Sequence, residues 1–473
     1  MKKDTILTLF FYTCITLFFF GMLIKMGYAT DTYQVFNWNG EQVYSQFASS
    51  GRFVTAIVGK IVKDINLSEQ LIYVGSFILA IIFTILSQFK LNLIIEKDIK
   101  SHALQLILPT LIIINPFSIE LFLFIENGIM LFGILMCIWA LENVIRYFDK
   151  HKLKKIIYAI IDMLIANCCY QGIVGLFISI SLVYILKYSK NIKEFVKNNC
   201  IVGFIYGFPA IINYLMTKIL TNGNRLTGKI NIIESTEKIL RNSENMILNS
   251  YGILPKNLFI LAILFTLLCF CSKIWKDRKK FLNIIYIICG TTLAALLPQF
   301  LQPTQSIWLV PRSTYCFASL YGIIILYLCI NYSINKNTNI AILAISIFML
   351  IFQANKFIQI ENDRYKLNME DLSITSQIAQ MIEQDEKTTG NTINNIEFYQ
   401  DTSPNYTYNG IFATGDINVK CYANGWSTVA ILNYYLNRNF TLIEGNRKIE
   451  KNWDKFSKEQ IIFEGENLII YNY

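Results

Sequence analysis

The residues best able to do chemistry stand beside apolar stretches, not in a polar domain. Tyr28-Ala29-Thr30-Asp31-Thr32-Tyr33 leads through Trp38 and Glu41 to Ser50-Gly51-Arg52-Phe53. A carboxylate among aromatic residues, with an arginine returning toward it, can deprotonate a hydroxyl while an anionic phosphate is held nearby. An ordinary polar loop with an aromatic belt accounts for the same composition. A second acidic pair lies in Asn115-Pro116-Phe117-Ser118-Ile119-Glu120 and, six residues on, Glu126. Carboxylates at the lip of an apolar stretch are costly, so Glu120 and Glu126 either face a polar cavity or a cation, or mark a turn at the interface. In Cys169-Tyr170-Gln171-Gly172 an amide sits at a helix end, where it can bond a ligand or cap the turn. Arg312 follows Pro303 and Pro311 and opens the next apolar run. Its planar fork can grip a phosphate, and the same side chain can snorkel as a membrane anchor.

The elements that must position these residues are membrane helices. Of 473 residues 54% are hydrophobic and only 16% charged, too apolar for a water-soluble chain of this size. Apolar stretches near 5–24, 71–89, 103–117, 120–141, 156–171, 172–187, 200–220, 257–272, 281–298, 313–332 and 340–356 predict about eleven spans. None alternates as a transmembrane β-strand must. The first run exceeds the apolar core of a signal peptide, so Gly27-Tyr28-Ala29 is read as following an uncleaved helix and not as a processing site. The basic connections at 90–100, 146–155, 187–197 and 273–280 alternate with base-poor ones, which puts them and the N-terminus in the cytoplasm. Segments 25–70, 116–127, 221–256 and the tail are then outside.

The formal charge of +9 is spread over these connections, which argues against nucleic-acid binding. His102 and His151 are too few and too scattered for a zinc site, and no CxxC pair supplies thiolates. Most of the eleven cysteines lie in apolar stretches as small core residues. Phe53 to Ile65 places lysines opposite an apolar face, as in a helix lying in the interface. The expected division is a polytopic membrane domain over 1–356 and a soluble α/β domain over 357–473. In the latter 371–384 has helical spacing, and IEFYQ, IIFEG and NLIIYNY read as strands, the last two a hairpin across Glu464-Gly465-Glu466-Asn467.

Taken together, the Asp31 to Arg52 loop, Asn115-Pro116-Phe117 with Glu120 and Glu126, Tyr170-Gln171 and Pro311-Arg312 resemble the bacterial type II glucosyltransferase family. That family contains enzymes that glucosylate O-antigen and is similar to the wider GT-C class of membrane glycosyltransferases. The resemblance implies a mainly α, GT-C-like fold, a polyprenyl-phosphate-linked sugar as donor, and a surface glycan as acceptor at the outer face of the bacterial inner membrane. It implies Asp31 as catalytic carboxylate and Glu126 as second acid. Arg52 and Arg312 would hold the donor phosphate, and Tyr33, Glu120, Tyr170 and Gln171 would contact substrate. Two departures bear on substrate identity: Thr30, not a second acid, precedes Asp31, and position 126 is Glu where Asp is expected. No cofactor is called for; a divalent ion between Asp31 and Glu126 stays open beside the arginines. A transporter or flippase for a lipid-linked glycan, and a polysaccharide polymerase, are the competing readings.

Overall fold

A computed structural model describes residues 3–25, 27–221, 229, 231–271, 274, 278–300, 302–332, 334–399, 410–443, 445 and 456–471. Lys2, Lys273, Lys276 and the strand ends at 400 and 472–473, on which sequence expectations fall, lie outside the described residues. Eight described helices are long and apolar enough to cross a bilayer, which makes the chain a multi-pass membrane protein. Three of the expected eleven spans are shorter. His102–Ile113 and Leu258–Cys269 have 12 residues each and Lys154–Cys169 has 16. At 1.5 Å per residue these reach about 18 to 24 Å, less than a hydrocarbon core of about 30 Å.

The expected span at 120–141 is shifted. Residues 118–126 form the short helix Ser118–Phe122 and a turn, and the long helix runs Asn127–Lys150. The cause is visible at Asn115. Its side chain accepts from the Phe117 amide at 2.9 Å and donates to Ser319 Oγ at 2.9 Å, so the chain is held in a turn where the apolar run alone suggests continuity. Buried polar groups inside the bundle are paired in the same way: Gln88 donates to Thr16 Oγ1 at 2.9 Å and accepts from Thr110 at 3.0 Å.

The segment after the first span is not a loop but three helices, Thr30–Asn37, Gly40–Ala48 and Phe53–Asp64. Asn39 caps the second through a reciprocal pair with Gln42, at 2.9 and 3.0 Å, a capping box spelled Asn-x-x-Gln. Phe53–Asp64 leaves Ile57 and Ile61 exposed, as an interfacial helix would.

One helix of 54 residues, Lys336–Thr389, passes through position 356 without interruption. Its length of about 81 Å carries it far beyond a bilayer. A four-stranded mixed sheet follows, in the order Thr441–Ile443, Asn395–Tyr399, Asn467–Tyr471, Ile461–Glu464. The last two strands are antiparallel across Gly465, whose φ of +63° suits a tight hairpin. The short strand Thr441–Ile443 and the helix Gly425–Leu436 are additions to what the sequence suggested. That helix packs on Thr30–Asn37: Asn37 Nδ2 donates to Ala430 O at 2.7 Å, and Tyr434 meets the rings of Tyr28, Tyr33 and Phe36. The C-terminal sheet is thereby tied to the first inter-span segment.

Candidate functional site

Four separate turns bring the charged residues to one end of the bundle. The first is Ser50-Gly51-Arg52, where Gly51 has φ +72°, a left-handed conformation that costs other residues roughly 1–2 kcal/mol. Gln171 Nε2 donates to Ser50 O at 3.1 Å and Asn213 Nδ2 to Gly51 O at 2.7 Å. This clamp directs Arg52 onto Glu126 at 3.2 Å and over the Tyr170 ring at 4.7 Å. The second turn, pinned by Asn115, carries Glu120. That carboxylate is fully buried; it accepts from the Arg312 backbone N–H at 2.5 Å and lies 3.5 Å from the guanidinium.

The third turn holds Arg312 itself. Its guanidinium lies 4.2 Å from the Phe124 ring centroid and is ion-paired with Asp416. Asp416 comes from the fourth turn, in the tail, where Gly415 adopts φ +56° and the Asp416 amide donates to Glu120 at 3.3 Å. The tail segment around this turn lies along the long helix: Phe412 N–H donates to Asp363 at 2.9 Å, Asn418 Nδ2 to Ile360 O at 3.1 Å and Cys421 N–H to Asp371 at 3.0 Å. Asp31, in the first turn of Thr30–Asn37, faces the same cleft, which Trp38, Phe124, Arg52, Glu126 and Arg312 also line. A family model described as Glucosyl transferase GtrII matches residues 19–329, about two thirds of the chain. The chain belongs to that family.

No curated protein sequence matches it. The GtrII match takes in Asp31, Arg52, Glu120, Glu126, Tyr170, Gln171 and Arg312 and ends well before Asp416. Within this GtrII protein the eight residues singled out in the sequence have three different placements. Asp31, Arg52, Glu126 and Arg312 share the cleft wall. Glu120, Tyr170 and Gln171 lie behind it: Glu120 grips Arg312, Tyr170 lies under Arg52, and Gln171 holds the Ser50 turn. Tyr33 turns the other way. It is fully buried between the first segment and the tail, accepting from Asn368 Nδ2 at 2.6 Å. Asp416 was not singled out; the sequence offers only a Gly-Asp turn signal there, with no indication of its distant partner.

Four carboxylates and two guanidiniums share this end of the bundle, so the acids repel one another. Burial pushes Glu120 up to about 7; Arg312 opposes that and Asp416 adds to it. Burial also raises Glu126, against Arg52 and with the help of Asp31. Asp416 is raised by burial, opposed by Arg312 and reinforced by Asp31. Among the described residues no group of three or more His, Cys, Asp or Glu is arranged to hold a metal ion.

Close approach at Gly172 yields a direct test of this geometry. A Cβ there would stand 2.7 Å from the Arg312 carbonyl oxygen and 3.1 Å from Ser313 Cα, both backbone atoms that cannot swing aside. Gly172→Ala should therefore displace the Arg312 turn and lower turnover by about ten- to a hundredfold, with membrane insertion retained. Unchanged steady-state kinetics in this variant would show that the position of Arg312 is uncritical.

Proposed function

We propose that this GtrII protein transfers glucose from a polyprenyl-phosphate carrier to a cell-surface glycan at the extracytoplasmic face, with inversion at the anomeric carbon. The observation that supports it best is the pairing in one cleft of Asp31, which has no hydrogen-bond or ion-pair partner among the described residues, with Arg52 and Arg312. A general base must be free to accept a proton, and a phosphate leaving group needs cations held in place. In this reading the acceptor hydroxyl attacks the anomeric carbon and gives its proton to Asp31. The bond from that carbon to the phosphate oxygen breaks, and the lipid phosphate leaves with the electron pair against Arg312 and Arg52. Glu126 orients the acceptor and holds Arg52. The sugar arrives already activated by its phosphate, so the chemistry calls for no nucleotide.

In this reading the fold is GT-C-like, the shorter helices completing about eleven membrane-inserted segments. The N-terminus is cytoplasmic and residues 357–473 form the extracytoplasmic part that meets the acceptor. Asn437→Cys, at an exposed tail position, should react with an impermeant thiol reagent on spheroplasts, whereas Lys152→Cys should need permeabilised cells. The reverse pattern would put the cleft on the wrong side for a surface acceptor. The activity itself is tested with purified protein in liposomes containing polyprenyl-phosphate-[14C]glucose and an acceptor glycan. Radiolabel transferred to the glycan is the expected result. Radiolabelled lipid that only changes leaflet would make the protein a transporter, and chain growth of the glycan repeat would make it a polymerase.

A further inference from the structure

The cleft uses only one end of the Asn127–Lys150 helix. Near the other end a second, laterally open groove lies between this helix, Glu69–Ile95 and Lys154–Cys169. Its floor carries Lys90 and Arg146, both paired with Glu142 at 2.9 and 2.8 Å. Across it Asp162 accepts from Asn143 at 2.9 Å and has no cation within ion-pair distance among the described residues. Trp139, Tyr158 and Ile161 border the groove and are exposed on the lipid-facing side. Glu142 stands eight residues from the Lys150 end of its helix, about 12 Å along it, and Asp162, at the middle of the shorter Lys154–Cys169, is level with it through Asn143; the belt of charge formed with Lys90 and Arg146 is what a headgroup layer solvates. Glu126, the cap of this helix, and Glu142 are separated by about 24 Å along its axis, so groove and cleft lie toward its opposite ends.

Interhelical stapling accounts for Glu142 but leaves two groups unexplained. Asp162 keeps one carboxylate oxygen unbonded, since the Lys155 ammonium that acts on it from a distance is itself bonded to Asn143 at 3.2 Å, and the Arg146 side chain is half-exposed beyond its contact to Glu142. We propose that this groove binds the headgroup of an amine-bearing zwitterionic phospholipid, its ammonium on Asp162 and its phosphate on Arg146, with acyl chains along Trp139, Tyr158 and Ile161. The charge pattern selects this lipid class. An anionic phosphoglycerol lipid meets Arg146 but puts no cation on Asp162. A choline lipid brings a cation that has no N–H to donate, and so forfeits the charge-assisted hydrogen bond.

The test is native mass spectrometry of the full-length protein in detergent with equal amounts of phosphatidylethanolamine, phosphatidylcholine and phosphatidylglycerol. Phosphatidylethanolamine adducts are expected to exceed each of the others by about tenfold, the loss that follows from one missing charged hydrogen bond. Asp162→Asn should remove the preference over phosphatidylcholine. Arg146→Ala, at a half-exposed position that tolerates truncation, should weaken both lipids and leave their ratio intact. Equal binding of the three lipids by the unmodified protein, a preference for phosphatidylglycerol, or an Asp162→Asn variant that still prefers phosphatidylethanolamine would each overturn the proposal. None of these outcomes depends on the sugar-transfer activity.

Discussion

Asp31→Asn is expected to lower glucose transfer by about 10²- to 10⁴-fold, the usual cost of losing a general base, while the protein inserts and binds donor normally. The expectation rests on what Asp31 lacks. Glu120 and Asp416 are engaged with Arg312, and Glu126 with Arg52, whereas Asp31 has no such partner among the described residues. An acid committed to a guanidinium is a poor proton acceptor, because taking the proton discards the ion pair. The substituted amide keeps the shape of the side chain and its place in the first turn of Thr30–Asn37, so a fold defect is a weak explanation of lost turnover. Glu126→Gln should be milder, about tenfold, since it keeps an oxygen toward Arg52 and removes only the charge. The comparison is made at matched expression, with and without a chelator. Equal losses in both variants that a chelator reproduces in the unmodified protein would point to a metal held by the two acids; near-normal turnover in Asp31→Asn would remove it from the mechanism.

The charged residues of the cleft wall were legible because each interrupts or borders an apolar run, where a charge needs a reason. Arg52, Glu126 and Arg312 stand out on that ground alone. What each of them faces was not legible. Glu120 looks like a ligand contact in sequence, yet it is buried under Arg312, and Tyr33 looks like part of an aromatic rim, yet it belongs to the packing between Thr30–Asn37 and Gly425–Leu436. Asp416 lies 104 positions from Arg312 and outside the span of the GtrII match. No local pattern reports a contact of that range. The same limit explains the membrane region. Hydropathy registers how apolar a stretch is, but the break at 115–126 is made by the hydrogen bonds of Asn115 to Ser319, a residue from a distant helix. Phe53–Asp64 was legible from its one apolar face, whereas Thr30–Asn37 and Gly40–Ala48 were hidden for another reason. Their polar composition suits a loop, and only the Asn39 to Gln42 capping pair announces a helix start.

The tail contact makes the sharpest prediction about donor binding, because Asp416 occupies the guanidinium that the phosphate would need. Arg312 is paired with two carboxylates, Glu120 from below and Asp416 from the tail. A lipid phosphate entering the cleft must compete with one of them, and Asp416 is the accessible one, Glu120 being fully buried. Arg312→Lys is expected to raise the donor KM at least tenfold and lower kcat/KM by about 10²- to 10³-fold. A lysine ammonium is a compact point charge without the guanidinium's planar fork, so it cannot grip the phosphate bidentately while still held by Glu120, and it weakens the cation–π contact to Phe124. Asp416→Asn should act with the opposite sign. The amide retains an oxygen for Arg312 but removes a competing negative charge, so donor KM should fall several-fold, and the product lipid phosphate should inhibit more strongly. Steady-state kinetics over a range of polyprenyl-phosphate-glucose, with added polyprenyl phosphate as product, measure both effects. Variants at Arg312 and Asp416 that raise KM alike would mean that Asp416 only positions the guanidinium and does not contest the phosphate.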